Sequence, residues 1–357
     1  MQNKHSNLAP FSCSYTPNTP ELLNQLGCTI AISTYQAGKL IFLSAVNDEK
    51  IVQLPRSFVK AMGIALDGDR LALACKDEVI VFKNSSELAS HYPRKKDVYD
   101  AMYMPRITYH TGALDVHDLD FCQDGLYAVN TNFSCVIRID ENYSFRPIWT
   151  PAFISDVQAG DRCHLNGMAV ENKTIKYLTS FANTNTPRGW KENMTTSGIL
   201  IEYASKEIVL ENLGMPHSPR IYNENLYMLL SASGELVKYD PSNNQQSTVT
   251  KIEGFVRGLS FHEGFAFIGI SKIRNNSSSF GHLNIAEKSN HAGVVIVHLE
   301  SGVEVARIIY NSSVDEIYDV QIIANKVRPN ILNTIKEDYK MGLSTPEKTF
   351  WGVKKEK

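Results

Sequence analysis

Six times along this chain of 357 residues a short apolar run follows one distinctive residue, and that repetition limits the folds open to it. The segments are Met62-Gly-Ile-Ala-Leu, His117-Asp-Leu-Asp-Phe, Asn166-Gly-Met-Ala-Val, His217-Ser-Pro-Arg-Ile, Arg257-Gly-Leu-Ser-Phe and Tyr318-Asp-Val-Gln-Ile. Their leading residues stand 40 to 61 positions apart, a spacing that suits one four-stranded propeller blade per repeat. In a ring of such blades the start of every innermost strand points at one shared axis. The leading residues then converge although the sequence scatters them. The expected fold is all-β, a six-bladed β-propeller.

Period-2 apolar runs bounded by turn residues divide the repeats into strands. In the fourth repeat they fall at 218–222, 226–231, 235–239 and 247–252. The first repeat gives 63–66, 70–74 and 78–82, and then breaks into a polar insertion over 83–103. The sixth has only an inner strand, 319–323, while the N-terminal part has three strands and no inner one, at 29–33, 39–44 and 50–54. Joining these completes a sixth blade and closes the ring without a free edge. The expected organisation is an irregular arm over 1–27, with one helical turn at 21–26, then the propeller over 28–325 and a polar, peripheral tail over 326–357. An α/β fold would need helices of about 10–15 residues between the strands, and the intervals do not contain them.

A hydrophobic fraction of 43% suits a soluble globule with a substantial core. A net charge of −2 leaves no electrostatic footprint for nucleic acid or for an anionic membrane. No apolar run reaches the roughly 18 residues of a spanning helix, and the N-terminus lacks the apolar core of a secretory signal. The expected location is the cytoplasm. The six cysteines are widely spread, form no C-x-x-C pair and read as buried free thiols.

Two loops between second and third strands are long: 182–197, with Arg188 and Trp190, and 271–292, with Lys272, Arg274 and His282. Both lie on the rim where the inner strands start, as does the short loop 34–38 with Tyr35. Long loops on one face of a compact domain are commonly binding loops. Side-chain alternation on a strand adds residues two before each leading position, so Asp115, His164 and Glu316 join His117, Asn166, His217, Arg257 and Tyr318. Three imidazoles with an amide, His117, His164, His217 and Asn166, form a ligand set for a divalent metal such as Zn²⁺, Fe²⁺ or Mn²⁺. Arg257 would anchor an anionic substrate group, and His117, His164, His217, Glu316 or Tyr318 would move a proton. Tyr35, Trp190 and Lys272 would line the substrate site from the rim.

Structural roles compete with each of these. A lone His at a strand start is commonly a hydrogen-bonded structural residue, and only convergence makes the three a centre. Asp118 and Asp319 directly follow leading residues and are expected to bond neighbouring backbone. Arg162 and Arg220 flank the two His motifs and would bind either a substrate anion or a blade carboxylate. Trp190 would stack on a ligand or pin its loop. The chain carries no G-x-S-x-G, H-E-x-x-H, G-x-x-x-x-G-K-[ST] or G-x-G-x-x-G, so serine-hydrolase, zincin, P-loop and Rossmann chemistry have no local support.

Three stretches, Arg162-Cys-His-Leu-Asn-Gly167, Met215-Pro-His-Ser-Pro-Arg220 and Ser33-Thr-Tyr-Gln-Ala-Gly-Lys39, resemble signatures of a bacterial family of conserved proteins with no assigned function. That likeness spans roughly 28–325. A more distant one is to six-bladed propellers of the gluconolactonase–regucalcin type. Leu165-Asn-Gly-Met-Ala-Val170, followed by a strand at 175–179, is similar to their Pro-Asn-Gly-Leu-Ala segment, whose Asn is a metal ligand. The resemblance implies Asn166 as a ligand and puts His217 where that family carries a ligand Asp. An imidazole there favours a softer ion than Ca²⁺.

The expected function is a metal-dependent enzyme acting on a small polar or anionic substrate by hydrolysis, elimination or isomerisation. The alternative is a non-catalytic propeller that binds a ligand or a partner protein at its rim. Neither nucleic acid nor a membrane is expected as a partner.

Overall fold

A computed structural model describes residues 8–273, 280–281 and 283–352; Arg274 and His282 lie outside the described residues. Six sheets, each with four antiparallel strands, form the six blades of a β-propeller. Their inner strands are Ile64–Asp67, Val116–Cys122, Leu165–Glu171, Pro216–Tyr222, Phe255–His262 and Asp319–Ala324. Each inner strand packs on the next, and the last packs on the first. The sixth blade is composite, as the sequence implies. Asp319–Ala324 pairs antiparallel with Cys28–Thr34, from Ser33 opposite Asp319 to Cys28 opposite Ala324. Lys39–Asn47 and Lys50–Ser57 complete that blade.

Blades are covered on both faces, so alternate residues on one strand serve two different interfaces. In the sixth blade Ile30, Ile32, Ile41 and Leu43 pack toward the fifth, with Val294, Ile296 and Ile308. Ala31, Leu40 and Phe42 pack the other way, with Ile64, Leu71, Leu73 and Phe82 of the first. Every residue of Cys28–Thr34 is therefore buried. Burying a side chain such as Phe42 contributes about 1.5–3 kcal/mol, so each interface rests on many such terms.

Three segments differ from the sequence expectation. The polar insertion of the first blade ends sooner, because the outer strand Ala101–His110 begins inside it. A short helix, Ser86–Ser90, precedes that strand, with Ser85 Oγ accepting from the Leu88 N–H at 3.4 Å. The N-terminal stretch is not wholly irregular: Cys13–Tyr15 adds a fifth strand to the fifth blade, and Thr19–Gln25 is helical with a proline in its first turn. The described part of the tail, 326–352, carries strands of its own. Pro329–Ile331 pairs in parallel with Ala101–Tyr103, and Gly342–Ser344 with Thr349–Trp351 forms a hairpin beyond it. All six cysteines are free and five are buried. Among the described residues no helix is long and apolar enough to cross a membrane.

Candidate functional site

The backbone turns sharply before three of the inner strands. Asp115, His164 and Met215 have φ of 57°, 53° and 54°, and each stands two residues before a leading position. The alternation argument that placed Asp115 and His164 on the axis therefore fails, because these residues are left-handed and not extended. The turn has its own effect: it brings the Asp115 carbonyl to 3.1 Å from His117 Nδ1 and the Met215 carbonyl to 3.1 Å from His217 Nδ1. A carbonyl only accepts, so Nδ1 carries the proton and Nε2 keeps its lone pair. His217 Nδ1 also lies 2.7 Å from Ser231 Oγ, which donates onward to the Val256 carbonyl at 2.6 Å. His164 is held differently, with Nδ1 3.0 Å from the Asp161 carboxylate.

Most of the candidate residues form one continuous set of contacts. The His117 and His164 rings meet edge to face with centroids 5.0 Å apart, and His117 meets Tyr318 at 5.5 Å. The Arg257 guanidinium lies 3.5 Å over the Tyr318 ring and 3.6 Å from the Glu316 carboxylate. Tyr35 stacks on Tyr318 at 5.8 Å and accepts a hydrogen bond from Lys60 Nζ at 2.8 Å. Trp190 is buried, packs on His164 at 4.3 Å and donates from Nε1 to Asp161 at 2.9 Å. Trp190 thus fastens its loop onto the site. His217 stands one ring away, 5.0 Å from Phe181, which in turn lies 4.5 Å from His164.

Burial sets the electrostatics. It holds the His117 imidazole down to about 4, with His164 and Arg257 acting in the same direction and Asp115 opposing. Burial, then Arg257, His164 and His117, hold His217 well below the usual histidine range. Both imidazoles are therefore neutral at pH 7. Burial raises the Glu316 carboxyl, against the pull of Arg257. The Tyr318 hydroxyl is buried without a hydrogen-bond partner, and burial pushes its titration well above the usual range.

Four candidates are engaged elsewhere. The Asn166 amide accepts from Thr179 Oγ1 at 2.9 Å and donates to the His164 carbonyl at 3.3 Å. Arg162 ties two loop segments together, donating to Asp156 at 2.7 Å and Asn185 at 2.8 Å. Arg220 grips Asp118 with both arms, at 2.8 and 3.1 Å, and approaches Asp319 at 3.7 Å. Lys272 pairs with Asp315 at 2.9 Å. Asp118 and Asp319 serve the backbone as expected: Asp118 accepts from the Met168 N–H at 3.0 Å in the next blade, and Asp319 from the Ile64 N–H at 2.9 Å across the closure. Among the described residues no three His, Cys, Asp or Glu side chains are placed to share one ion. Sequence reasoning missed Asp161, Phe181 and Lys60. Asp161 was the one within reach, since it stands three residues before His164 and immediately before the Arg162 motif.

A family model described as "Domain of unknown function (DUF4915)" matches residues 17–332. No curated protein matches the chain. A solved structure titled "Crystal structure of Nidogen/Laminin Complex" is similar at a TM-score of 0.48 and 8% identity, over 84% of this chain and 99% of that one. The propeller assignment rests on the six sheets themselves.

Proposed function

We propose, for a chain that belongs to the DUF4915 family of domains of unknown function, a proton-transfer enzyme that acts on a small anionic substrate at the channel mouth. One observation carries the reading. His164 has its Nδ1 fixed by the Asp161 carboxylate at 3.0 Å, and its Nε2 makes no hydrogen bond among the described residues. A carboxylate behind an imidazole sets the tautomer and stabilises the imidazolium that forms when Nε2 takes a proton. Arg257 supplies the anion anchor through a planar fork that matches a carboxylate or phosphate. A substrate anion bound near Arg257 would also draw the depressed His117 back toward protonation, because an opposite charge favours the charged form. His117 would then assist as the second proton carrier. Elimination, isomerisation and hydrolysis can each use such a pair.

A divalent metal is the second reading, and one observation favours it. An imidazole whose Nδ1 is held by a protein oxygen is oriented as metal-ligating histidines are, with Nε2 free to bind. His117 and His164 would supply two such nitrogens and His217 a more remote third. The ion, Zn²⁺, Fe²⁺, Mn²⁺ or Ca²⁺, would polarise a substrate oxygen or acidify a bound water. Elemental analysis of the purified chain after supplementation with each metal decides this point. Stoichiometric metal lost in His117→Ala and His164→Ala supports it.

The enzyme reading is tested with lactate, malate, gluconate and glycerol phosphate as probes. At least one should raise the melting temperature of the wild type and not of Arg257→Gln. In D₂O a bound carboxylate probe should lose its α-proton signal by exchange, and His164→Asn should stop exchange while keeping the thermal shift. A shift without exchange supports the non-catalytic alternative, a ligand- or partner-binding propeller. No shift with any probe overturns the anion pocket.

A further inference from the structure

A pocket lies away from the channel mouth, where the outer strand Lys50–Ser57 of the sixth blade meets the first-blade insertion and the C-terminal tail. Its volume is about 250 Å³. That is below the roughly 300–1,000 Å³ of sites for drug-sized ligands, so it suits something small. Arg56, Arg94, Lys95 and Lys336 line it, and Asp338 is the one carboxylate among the lining residues. Asp338 is already used, by Arg94 at 2.6 Å and by the Tyr92 hydroxyl at 3.4 Å. Lys95 and Lys336 are exposed and make no ion pair among the described residues.

Arg56 is the informative residue. It donates from Nε to the Ile331 carbonyl at 3.0 Å, from Nη1 to the Pro55 carbonyl at 3.2 Å and from Nη2 to Asn330 Oδ1 at 2.9 Å. All three partners are neutral, and no carboxylate of the described residues forms an ion pair with it. A guanidinium has five N–H groups, so two remain. The Asn330 amide turns its oxygen to Arg56 and to the Ile331 N–H, and leaves its own Nδ2 buried without a partner. The fold thus gives up one amide hydrogen bond where it holds a cation with no carboxylate of the described residues at ion-pair distance. A half-buried unpaired cation is costly, and a bound anion offsets that cost.

We infer that this pocket is an anion site for a small phosphorylated solute, its phosphoryl or pyrophosphoryl oxygens held by Arg56 with Lys95 and Lys336 at the rim. Four cations against one committed carboxylate favour a multiply charged group over a monocarboxylate. The site is independent of the channel and of the chemistry proposed there.

Calorimetric titration of the full chain with inorganic phosphate, inorganic pyrophosphate and glycerol phosphate, at low ionic strength, tests this. At least one should bind at a single site and weaken as salt is added. Binding of the ester above the free ions names an esterified solute, and the reverse names a free ion. The double variant Lys95→Glu/Lys336→Glu changes exposed residues only and should weaken binding by about tenfold or more. Arg56→Gln should abolish it. If Arg56→Gln does not fold, the double variant decides alone. Arg257→Gln removes the channel anchor, so a single site for at least one of the three probes should persist in that variant. No binding of any of the three probes, unchanged affinity in the double variant, or loss of binding in Arg257→Gln overturns the assignment.

Discussion

His164 and Asp161 are joined through Nδ1 at 3.0 Å, and both belong to the turn that leads into the third inner strand. The same carboxylate takes Trp190 Nε1 at 2.9 Å, so one residue positions the imidazole and fastens the loop over it. Asp161→Ala should break both bonds. Hydrogen bonds to a charged group are worth about 1.5–3 kcal/mol, and the loss should fall within that range because Trp190 stays packed on Phe181. Limited proteolysis at Arg188 or Lys191 reads the loop and should quicken. A variant with unchanged cleavage would show that packing alone holds Trp190.

Arg257 has two partners of different kinds, the Tyr318 ring at 3.5 Å and the Glu316 carboxylate at 3.6 Å. Arg257→Lys keeps a charge for Glu316 but loses the flat guanidinium over the ring and the bidentate fork. The stability loss should be about 1 kcal/mol, the scale of a partly desolvated cation–π contact. Binding of a carboxylate probe that depends on Arg257 should be lost. Urea denaturation and the same probe panel measure the two effects separately. A large stability loss with binding preserved assigns Arg257 to the fold.

The buried imidazoles make stability depend on pH in a direction that can be worked out. His117 titrates near 4 in the folded chain and near 6.5 when unfolded, so below 6.5 the unfolded chain takes up the proton first. Its stabilising contribution is complete above 6.5 and is lost as pH falls toward 4. The shift corresponds to roughly 3 kcal/mol. His217, displaced in the same direction, adds to the loss. Asp120 and Asp319 oppose it: burial raises both to about 6, and they favour the folded state as pH falls from about 6 toward 4. His117→Gln should therefore gain about 3 kcal/mol of stability relative to wild type between pH 7 and pH 4. Parallel profiles would mean that water reaches the imidazole.

The ring was legible because its signal is redundant. Six inner strands repeat one pattern, and three strands without an inner partner at one end match one inner strand without neighbours at the other. The outer strand Ala101–His110 was not legible. Its first four residues are all buried, under a helix and a tail strand distant in sequence, and Pro105 interrupts the run, so no period of two appears. His164 arrives through a left-handed turn, whereas the convergence of His117, Arg257 and Tyr318 followed from the register of the blades. The engagement of Asn166 and Arg162 did not, because it depends on Thr179 in the neighbouring strand and on Asp156 and Asn185 in loops. Left-handed φ at Asp115, His164 and Met215 carries no sequence mark, since none is a glycine.

The core of the channel supplies the last prediction. Arg220 charges are held by Asp118 and Asp319: burial alone would lower its affinity for the proton, and the two carboxylates more than reverse that. Those carboxylates also accept the Met168 and Ile64 N–H groups, so one guanidinium supports two joints between blades, including the one that closes the ring. Arg220→Met removes the cation and leaves both carboxylates buried. Breaking a buried pair in this way costs about 3–5 kcal/mol at neutral pH. Asp319 already titrates near 6 with the arginine present, and without it the carboxyl accepts a proton more readily still. Acidification should then relieve the variant, so its deficit relative to wild type should be smaller at pH 5 than at pH 7.5. Urea melts of both proteins at the two pH values measure this. A deficit of the same size at both would place the cost in lost packing of the arginine stem and not in unpaired charge.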